Sequence, residues 1–424
     1  MDNRLLTFLI VAGLSISAGI GYLLHNESPI VIDGDSNRLP LDGNYIRIGY
    51  ITSTVTALEK EVPLVEQIMV PDYTAFVRKL NYDVTIIVSR GTADNQTDVH
   101  LQKLKGFRQI DNNAVISSGT SSQIMGSLDY VNNNNMLLWS SSATSHALAI
   151  SNDNLFRMCT DDVAQAAAIA EMLKSYGINA VIVIQRGDAW ADGIYDSFEQ
   201  LFTSGGGVII DKIRYSTEST NFSNYLDAAE NSLFSAVEKY GRDHMAVEVI
   251  ASQEAVKMVE EAAGYPTLYS LPWFGCDGTA AKNLFIDDAP QQSSHVHLYS
   301  PIVAPTESLK FKDVSSRYYE ITSQPLDYYS ACAYDIGWII IESMLDSQIP
   351  NPNYWIPLQE SIASNSFGAS GWNKLNDAGD RAVSDYLIWG YGDLGDGVQN
   401  VNYGLYEGET NSVIWYTLVL GFTP

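Results

Sequence analysis

Between Ser117 and Thr144 the chain reads SSGTSSQIMGSLDYVNNNNMLLWSSSAT, two hydroxyl-rich turns one helix-length apart. The first turn, Gly119-Thr120-Ser121-Ser122, follows the apolar run that ends at Ser118. The second, Ser141-Ser142-Ala143-Thr144, follows Met136–Ser140. Each has the composition of a strand end opening into a helix. A helix N-terminus leaves backbone N–H groups without intrahelical acceptors, and Ser and Thr hydroxyls add donors beside them. Such a turn suits an anionic or carbonyl-bearing head group. Taken one at a time, each is an ordinary helix cap. A binding site requires the two to lie side by side.

An open parallel sheet meets that requirement, because its ligands sit in the crevice beyond the carboxyl ends of the strands. From Tyr45 the apolar pattern alternates strands with helices. Strands are expected at Tyr45–Ile51 and Asp83–Val88, and helices at Pro71–Leu80 and Val99–Phe107, before the two turns. Thr160-Asp161-Asp162 then caps an Ala-rich helix, and strands over Ala180–Gln185, Val208–Tyr215, Ala246–Ala251 and Pro272–Gly275 alternate with helices in a second unit. This succession predicts an α/β protein of two doubly wound, Rossmann-like lobes. Residues 45–157 are expected to begin lobe 1 and 158–298 to begin lobe 2. Residues 299–352 would return to lobe 1, and 353–424 would return to lobe 2 with the C-terminal strands. Repeated crossings imply hinge strands and a cleft that closes on a ligand.

Composition narrows the partners. With 24 Lys and Arg against 50 Asp and Glu, the net charge is −26, which repels nucleic acid. The three cysteines, Cys159, Cys276 and Cys332, are far apart, so no C-x-x-C zinc motif exists. Their odd number allows at most one intramolecular disulfide. Arg4 precedes the uncharged run Leu5–Leu24, close to the ~20 residues that cross a bilayer as a helix. Residues 1–25 are therefore expected to be a signal anchor or signal peptide, followed by a linker at 26–44. N-x-[ST] acceptors at Asn26, Asn95 and Asn221 agree with an extracytoplasmic, cell-surface or periplasmic location.

The motifs, in this order, resemble the type I periplasmic binding proteins of the branched-chain amino acid group, the ANF-receptor-like family that serves ABC importers. The matching elements are Ile46-Arg47-Ile48-Gly49-Tyr50, the two hydroxyl-rich turns, Phe156-Arg157-Met158 with Asp161-Asp162, and Asp188-Ala189-Trp190-Ala191-Asp192-Gly193. Trp273-Phe274-Gly275-Cys276-Asp277-Gly278, Tyr329–Asp335, Phe367–Gly371 and Asp377–Arg381 complete the set. Thr52–Thr56 lacks the Gly-Pro usual in the family's first turn, and Trp190 stands where a Tyr is usual.

The resemblance implies a ligand site without a catalytic residue, cofactor or metal. Ser121 or Ser122, with the Thr144 hydroxyl and backbone N–H, would hold an α-carboxylate. The Ser142 carbonyl would accept from an α-ammonium, and Asp277 on the other lobe would pair with it. Ala143 belongs to the same turn. Trp190 would wall the ligand, and Ser252 would add a further lobe-two contact. Tyr329 and Tyr334 read as helix core. The implied function is import of an amino acid or small amide, with ABC permease and ATPase subunits as partners and the N-terminal helix in the membrane. A membrane-tethered ligand sensor and a urea or short-amide binder are the alternatives.

Enzyme chemistry finds no support. There is no G-x-S-x-G elbow, and the literal G-x-G-x-x-G at Gly390–Gly395 opens no helix. His295 and His297 are expected on one face of a strand over His295–Ser300. No neighbouring Asp, Glu or Cys completes a metal site there.

Overall fold

The computed structural model describes residues 41–304, 308–382 and 384–416. The expected anchor, most of the linker and the Asn26 acceptor lie outside these residues. Among the described residues no helix is long and apolar enough to cross a membrane.

The first sheet contains β1 (Tyr45–Thr52), β2 (Thr85–Thr92), β3 (Ala114–Ser118), β4 (Leu137–Ser140) and β5 (Leu155–Thr160). These strands pair in parallel in the order β5-β4-β3-β1-β2. Both faces are covered, which is why the strands read as nearly unbroken apolar runs. Ile48, Tyr50, Ala114, Ile116, Leu137 and Trp139 face one core, capped by the helix Tyr328–Ser347. Ile51, Val115 and Leu138 face the other, under the helices Thr97–Gln109 and Ser121–Asn133. Gly49 permits that second layer to approach. A Cβ there would lie 2.6 Å from the Phe107 ring.

The second sheet holds β6 (Ala180–Arg186), β7 (Val208–Tyr215), β8 (Met245–Ile250) and β9 (Trp273–Gly275), parallel in the order β7-β6-β8-β9. Alternate residues again serve two cores, with Ala180, Ile182 and Ile184 on one and Val181 and Val183 on the other. A third, antiparallel sheet spans the junction. Its members are β10 (Ser300–Val303) and, after the short pairs β11 (Phe367–Gly368), β12 (Gly371–Trp372) and β13 (Asp380–Arg381), the strands β14 (Tyr386–Asp393), β15 (Val398–Glu407) and β16 (Ser412–Trp415). Val303, Tyr386 and Tyr406 join the first lobe's core, whereas Ile388, Tyr391, Val401 and Tyr403 join those of the second. The Thr160 hydroxyl meets the Tyr386 hydroxyl at 2.9 Å where two crossing segments run together.

Four expectations are corrected. The second hydroxyl-rich turn, Ser141–Thr144, opens no α-helix and leads only into the 3-10 turn His146–Leu148 before β5. Residues 353–381 do not return to the second lobe. Trp355, Ile356, Ala363, Ala369 and Leu375 are buried in the first lobe's core, and β13 pairs with β5. The chain crosses only on reaching β14. The physical reason is a set of long-range partners: Trp139 Nε1 donates to Gln359 Oε1 at 2.8 Å, and Asp335 accepts from the Ala369 and Ser370 N–H groups at 2.7 Å. The strand expected over His295–Ser300 is instead the end of a helix, Pro290–Val296, followed by left-handed His297 and Leu298. The two imidazoles stack on Tyr269 and Tyr299 and share no strand face. The helix expected at Pro71–Leu80 begins earlier, at Val55. The π-helical turn Val65–Met69 joins the helices Val55–Leu64 and Val70–Lys79 into one rod.

Asp335 also accepts from the Ser370 hydroxyl. Asp335→Ala would strand three donors in the core, at about 1–3 kcal/mol each when unsatisfied. Urea unfolding of this variant is expected to show a loss of about 3 kcal/mol or more.

Candidate functional site

β3 and β4 are neighbours, so the two hydroxyl-rich turns emerge side by side. A capping box shapes the first: the Thr120 side chain accepts from Gln123 N, while Gln123 Oε1 accepts from Thr120 N at 2.8 Å. In the second, Ser140 Oγ accepts from Ala143 N at 2.9 Å. Ser142 Oγ donates to the Gly119 carbonyl at 3.3 Å, which stitches one turn to the other.

Two residues outside the expected site hold these turns. His100 is fully buried between Ser127 Oγ, 2.8 Å from Nδ1, and Ser117 Oγ, 2.9 Å from Nε2. Ser127 Oγ already donates to the Gln123 carbonyl, so Nδ1 carries the proton and Nε2 accepts from Ser117. Ser117 Oγ in turn accepts from Gly119 N at 3.1 Å. Burial pushes the imidazole down to about 4, which keeps it neutral and the relay intact at neutral pH.

Arg157 supports the second turn. Its guanidinium, fully buried, grips both oxygens of Asp380 through Nε and Nη2. Nη1 donates to the carbonyls of Ala143 and Ser145 at 3.0 and 2.8 Å, and Nη2 also reaches Asp161 Oδ2 at 3.4 Å. Burial works against the guanidinium charge, but the hydrogen bonds and charge of Asp380 outweigh it and hold Arg157 protonated.

The sequence-expected site residues divide. Ser121 is buried, and its hydroxyl accepts from Ser145 N at 3.2 Å, so it braces the second turn. Ser122 is exposed. Ala143 gives its carbonyl to Arg157. The Thr144 carbonyl accepts from Asp162 N at 2.9 Å, and the Thr144 side chain acts on the Asp162 carboxyl. On the second lobe, Asp277 follows β9 by two residues. Its N–H donates to Gln165 Oε1 at 2.8 Å, and its Oδ2 accepts from the Tyr329 hydroxyl at 2.7 Å. Tyr329 belongs to the first lobe's helix Tyr328–Ser347, so this bond crosses between lobes. Trp190, half-buried, lies over the Asp277–Gly278 turn. A Cβ on Gly278 would come within 3.0 Å of the Trp190 ring and 2.2 Å of the Ala251 carbonyl oxygen. Ser252 continues from Ala251 at the end of β8.

Asp277 and Thr144 are thus linked through only two intermediates. Gln165 Nε2 donates to Asp162 Oδ1 at 3.4 Å, completing the path Thr144–Asp162–Gln165–Asp277–Tyr329. Asp162 is fully buried. Burial first, and then the Asp277 charge, push its carboxyl well above the carboxylate range. Asp162 was legible as part of a cap and a family motif, and Tyr329 as a core residue within another, neither as a member of the site. Glu61 gave no sequence signal. It accepts from the Tyr50 hydroxyl and from Ser118 Oγ at 3.0 Å, beside the first turn. Burial pushes it up to about 7, with the Tyr50 hydrogen bond opposing and the Asp327 charge assisting.

The fold defines a class before it defines a member: two parallel α/β lobes joined by three crossings are the type I periplasmic binding architecture. Residues 86–343 match the family model described as periplasmic binding protein, and the chain belongs to that family. It is 24% identical over 352 residues to an uncharacterized protein of Methanocaldococcus jannaschii, covering 79% of this chain and 82% of that one. Among solved structures it resembles LivJ of Streptococcus pneumoniae, a branched-chain amino acid transporter substrate-binding protein in complex with isoleucine. That match has 18% identity, 84% of this chain and 99% of the other covered, and a TM-score of 0.68. The leucine-binding protein LivK of Thermotoga maritima matches at 14% identity, 86% and 99% coverage and a TM-score of 0.68. A solute-binding protein from R. palustris in complex with benzoate matches at 14% identity, 88% and 98% coverage and a TM-score of 0.66. The family is one of solute-binding proteins with an extracytoplasmic place of work.

Two measurements check the supports. Asp380→Ala leaves the Arg157 charge buried without its partner and is expected to cost about 3–5 kcal/mol in chemical denaturation. For Glu61 the folded-state value lies above the unfolded one, so the folded protein holds the extra proton between the two. The stability it contributes is full below the unfolded value of about 4.3 and is lost as pH rises through about 7. Glu61→Gln should flatten the decline in melting temperature between pH 5 and 8, measured against the parent chain, by on the order of one titrating group.

Proposed function

We propose that this protein is the extracytoplasmic substrate-binding component of an ABC importer, carrying an amino acid of the branched-chain type or a related small amide. The observation that carries the reading is the path from Thr144 on one lobe to Asp277 on the other, closed by the Tyr329 hydroxyl. An amino acid is a short dipole with an anion at one end and a cation at the other. The turn at Ser142, Ala143 and Thr144, which leads into the 3-10 turn His146–Leu148, offers the Thr144 N–H and hydroxyl to the carboxylate, the Ser142 and Ala143 N–H groups being engaged by Ser140 Oγ. Asp277 supplies the counter-charge for the ammonium. Trp190 gives an apolar wall beside the Asp277–Gly278 turn, and Ser252 lies at the neighbouring strand end.

Ligand binding between the lobes bonds both halves at once, so it shifts the hinge equilibrium toward the closed form. Closure presents a single surface to the permease, and ATPase subunits supply the energy that this chain, without a phosphate-binding loop, does not. The run Leu5–Leu24 would hold the protein at the membrane while the lobes work outside. The names of its structural neighbours, which mention isoleucine and leucine, support an amino acid over urea.

Isothermal calorimetry against a panel of amino acids and short amides is the direct test. At least one aliphatic amino acid is expected to bind. Asp277→Ala and Thr144→Ala should each weaken it, the former by about 2–5 kcal/mol because a buried charged partner is removed. Unchanged affinity in both variants would reject the site.

A further inference from the structure

Topology marks one place in the first lobe where a ligand belongs. In the order β5-β4-β3-β1-β2 the chain steps from β1 to one side and, from β3 onward, to the other, so the strand sequence reverses between β1 and β3. Open parallel sheets take their ligands beyond the strand ends at such a reversal. Glu61, on the helix Val55–Leu64, spans these two strands. Its carboxylate accepts from the Tyr50 hydroxyl of β1 and from Ser118 Oγ of β3, the latter at 3.0 and 3.1 Å to its two oxygens. Ser118 pairs with Thr52 across the sheet, and the next residue, Gly119, accepts from the Ser142 hydroxyl of the second turn. Glu61 and Ser118 are both half-buried rather than sealed in the core.

The surroundings of this carboxylate are polar. From Thr52 to Thr54 at the end of β1, and from Ser118 to Thr120 at the end of β3, every side chain is a hydroxyl except at Gly119, which has none. A carboxylate offers about four acceptor sites, and the Tyr50 and Ser118 hydroxyls fill only part of that capacity. The adjacent cation, Lys60, is paired with Asp327 instead. Burial, opposed by the Tyr50 hydrogen bond, pushes the Glu61 carboxyl up to about 7, as expected of a group short of donors. Neighbouring strands lie about 4.8 Å apart, so the boundary of β1 and β3 is about 7 Å from the end of β4. An amino acid whose head group occupies the turn after β4 therefore presents the end of its side chain to Glu61.

We propose that Glu61 is a specificity-determining residue at the side-chain end of the ligand site, so that this protein prefers amino acids whose side chain ends in a hydrogen-bond donor to aliphatic ones of the same shape. The inference rests on the amino acid reading above and narrows it. A donor at that end completes the carboxylate. An alkyl group of the same size fits the space but strips water from Glu61 and returns nothing, and sites built around such a polar group discriminate strongly against the ligand that leaves it unpaired.

The test is calorimetry with leucine and asparagine, which share a shape and differ in that asparagine carries two N–H donors at its end. The parent chain is expected to bind asparagine about tenfold or more tightly than leucine. Glu61→Leu should weaken asparagine by about tenfold or more and reverse the order of the two. Leucine binding the parent as tightly as asparagine, or tighter, overturns the assignment and leaves the amino acid reading standing; this comparison needs no variant, should Glu61→Leu fail to fold. An order unchanged in a folded Glu61→Leu overturns it as well. Binding of neither ligand to the parent also overturns it, and the wider amino acid and amide panel then decides the amino acid reading separately.

Discussion

One guanidinium, that of Arg157, organises the junction of this molecule. Burying a charge is expensive unless every proton finds an acceptor. Arg157 has five N–H donors, and the structure supplies five acceptors: both oxygens of Asp380, the carbonyls of Ala143 and Ser145, and Asp161. Those acceptors come from three separate stretches of chain. Asp380 brings the late pair β13 onto the edge of the first sheet, Ala143 and Ser145 belong to the second binding turn, and Asp161 caps the helix that begins the second lobe. A single ion therefore sets the place of the turn and the point from which the chain leaves for the other lobe.

Around that anchor the polar groups sort into supports and contacts. Ser117, Ser121, Ser127, Ser140 and His100 are committed to shaping the turns, since each is already engaged by backbone or by another of the set. Buried groups with unmet capacity remain on the Ser141 and Ser145 hydroxyls of the second turn and on Asp162 and Asp277. Hydroxyl-rich sequence is thus a poor guide to which hydroxyl meets a ligand. The junction sheet complements this arrangement: β14 and β15 run from the first core into the second, so motion between lobes is confined to a few crossing strands.

Much of the architecture was readable from residue pattern. Strands buried on both faces advertise themselves as apolar runs, and β1, β3, β4, β6 and β8 stand where the sequence put them. The two turns were legible because Ser and Thr cluster at the ends of β3 and β4, although only the first opens an α-helix. The placement of residues 353–381 was not legible, because Trp355, Ile356 and Leu375 are equally apolar whichever lobe receives them. Their location follows from Gln359 meeting Trp139 and Asp335 meeting the Ala369–Ser370 backbone, contacts between residues far apart in the chain. The histidine pair illustrates the opposite error. Pro290 starts a helix that takes His295 away from the strand its neighbours suggested.

By itself the sequence determined the α/β alternation, the two-lobe plan, the paired turns and the acidic charge, since these depend on local periodicity and composition. Only the tertiary structure decided that Ser121 braces a turn, that Tyr329 reaches across to Asp277, and that Asp162 lies buried beside it with an oxygen unmatched. Hydrogen-bond partnership and desolvation are properties of distance and enclosure. Neither is written in the spacing of residues along a chain.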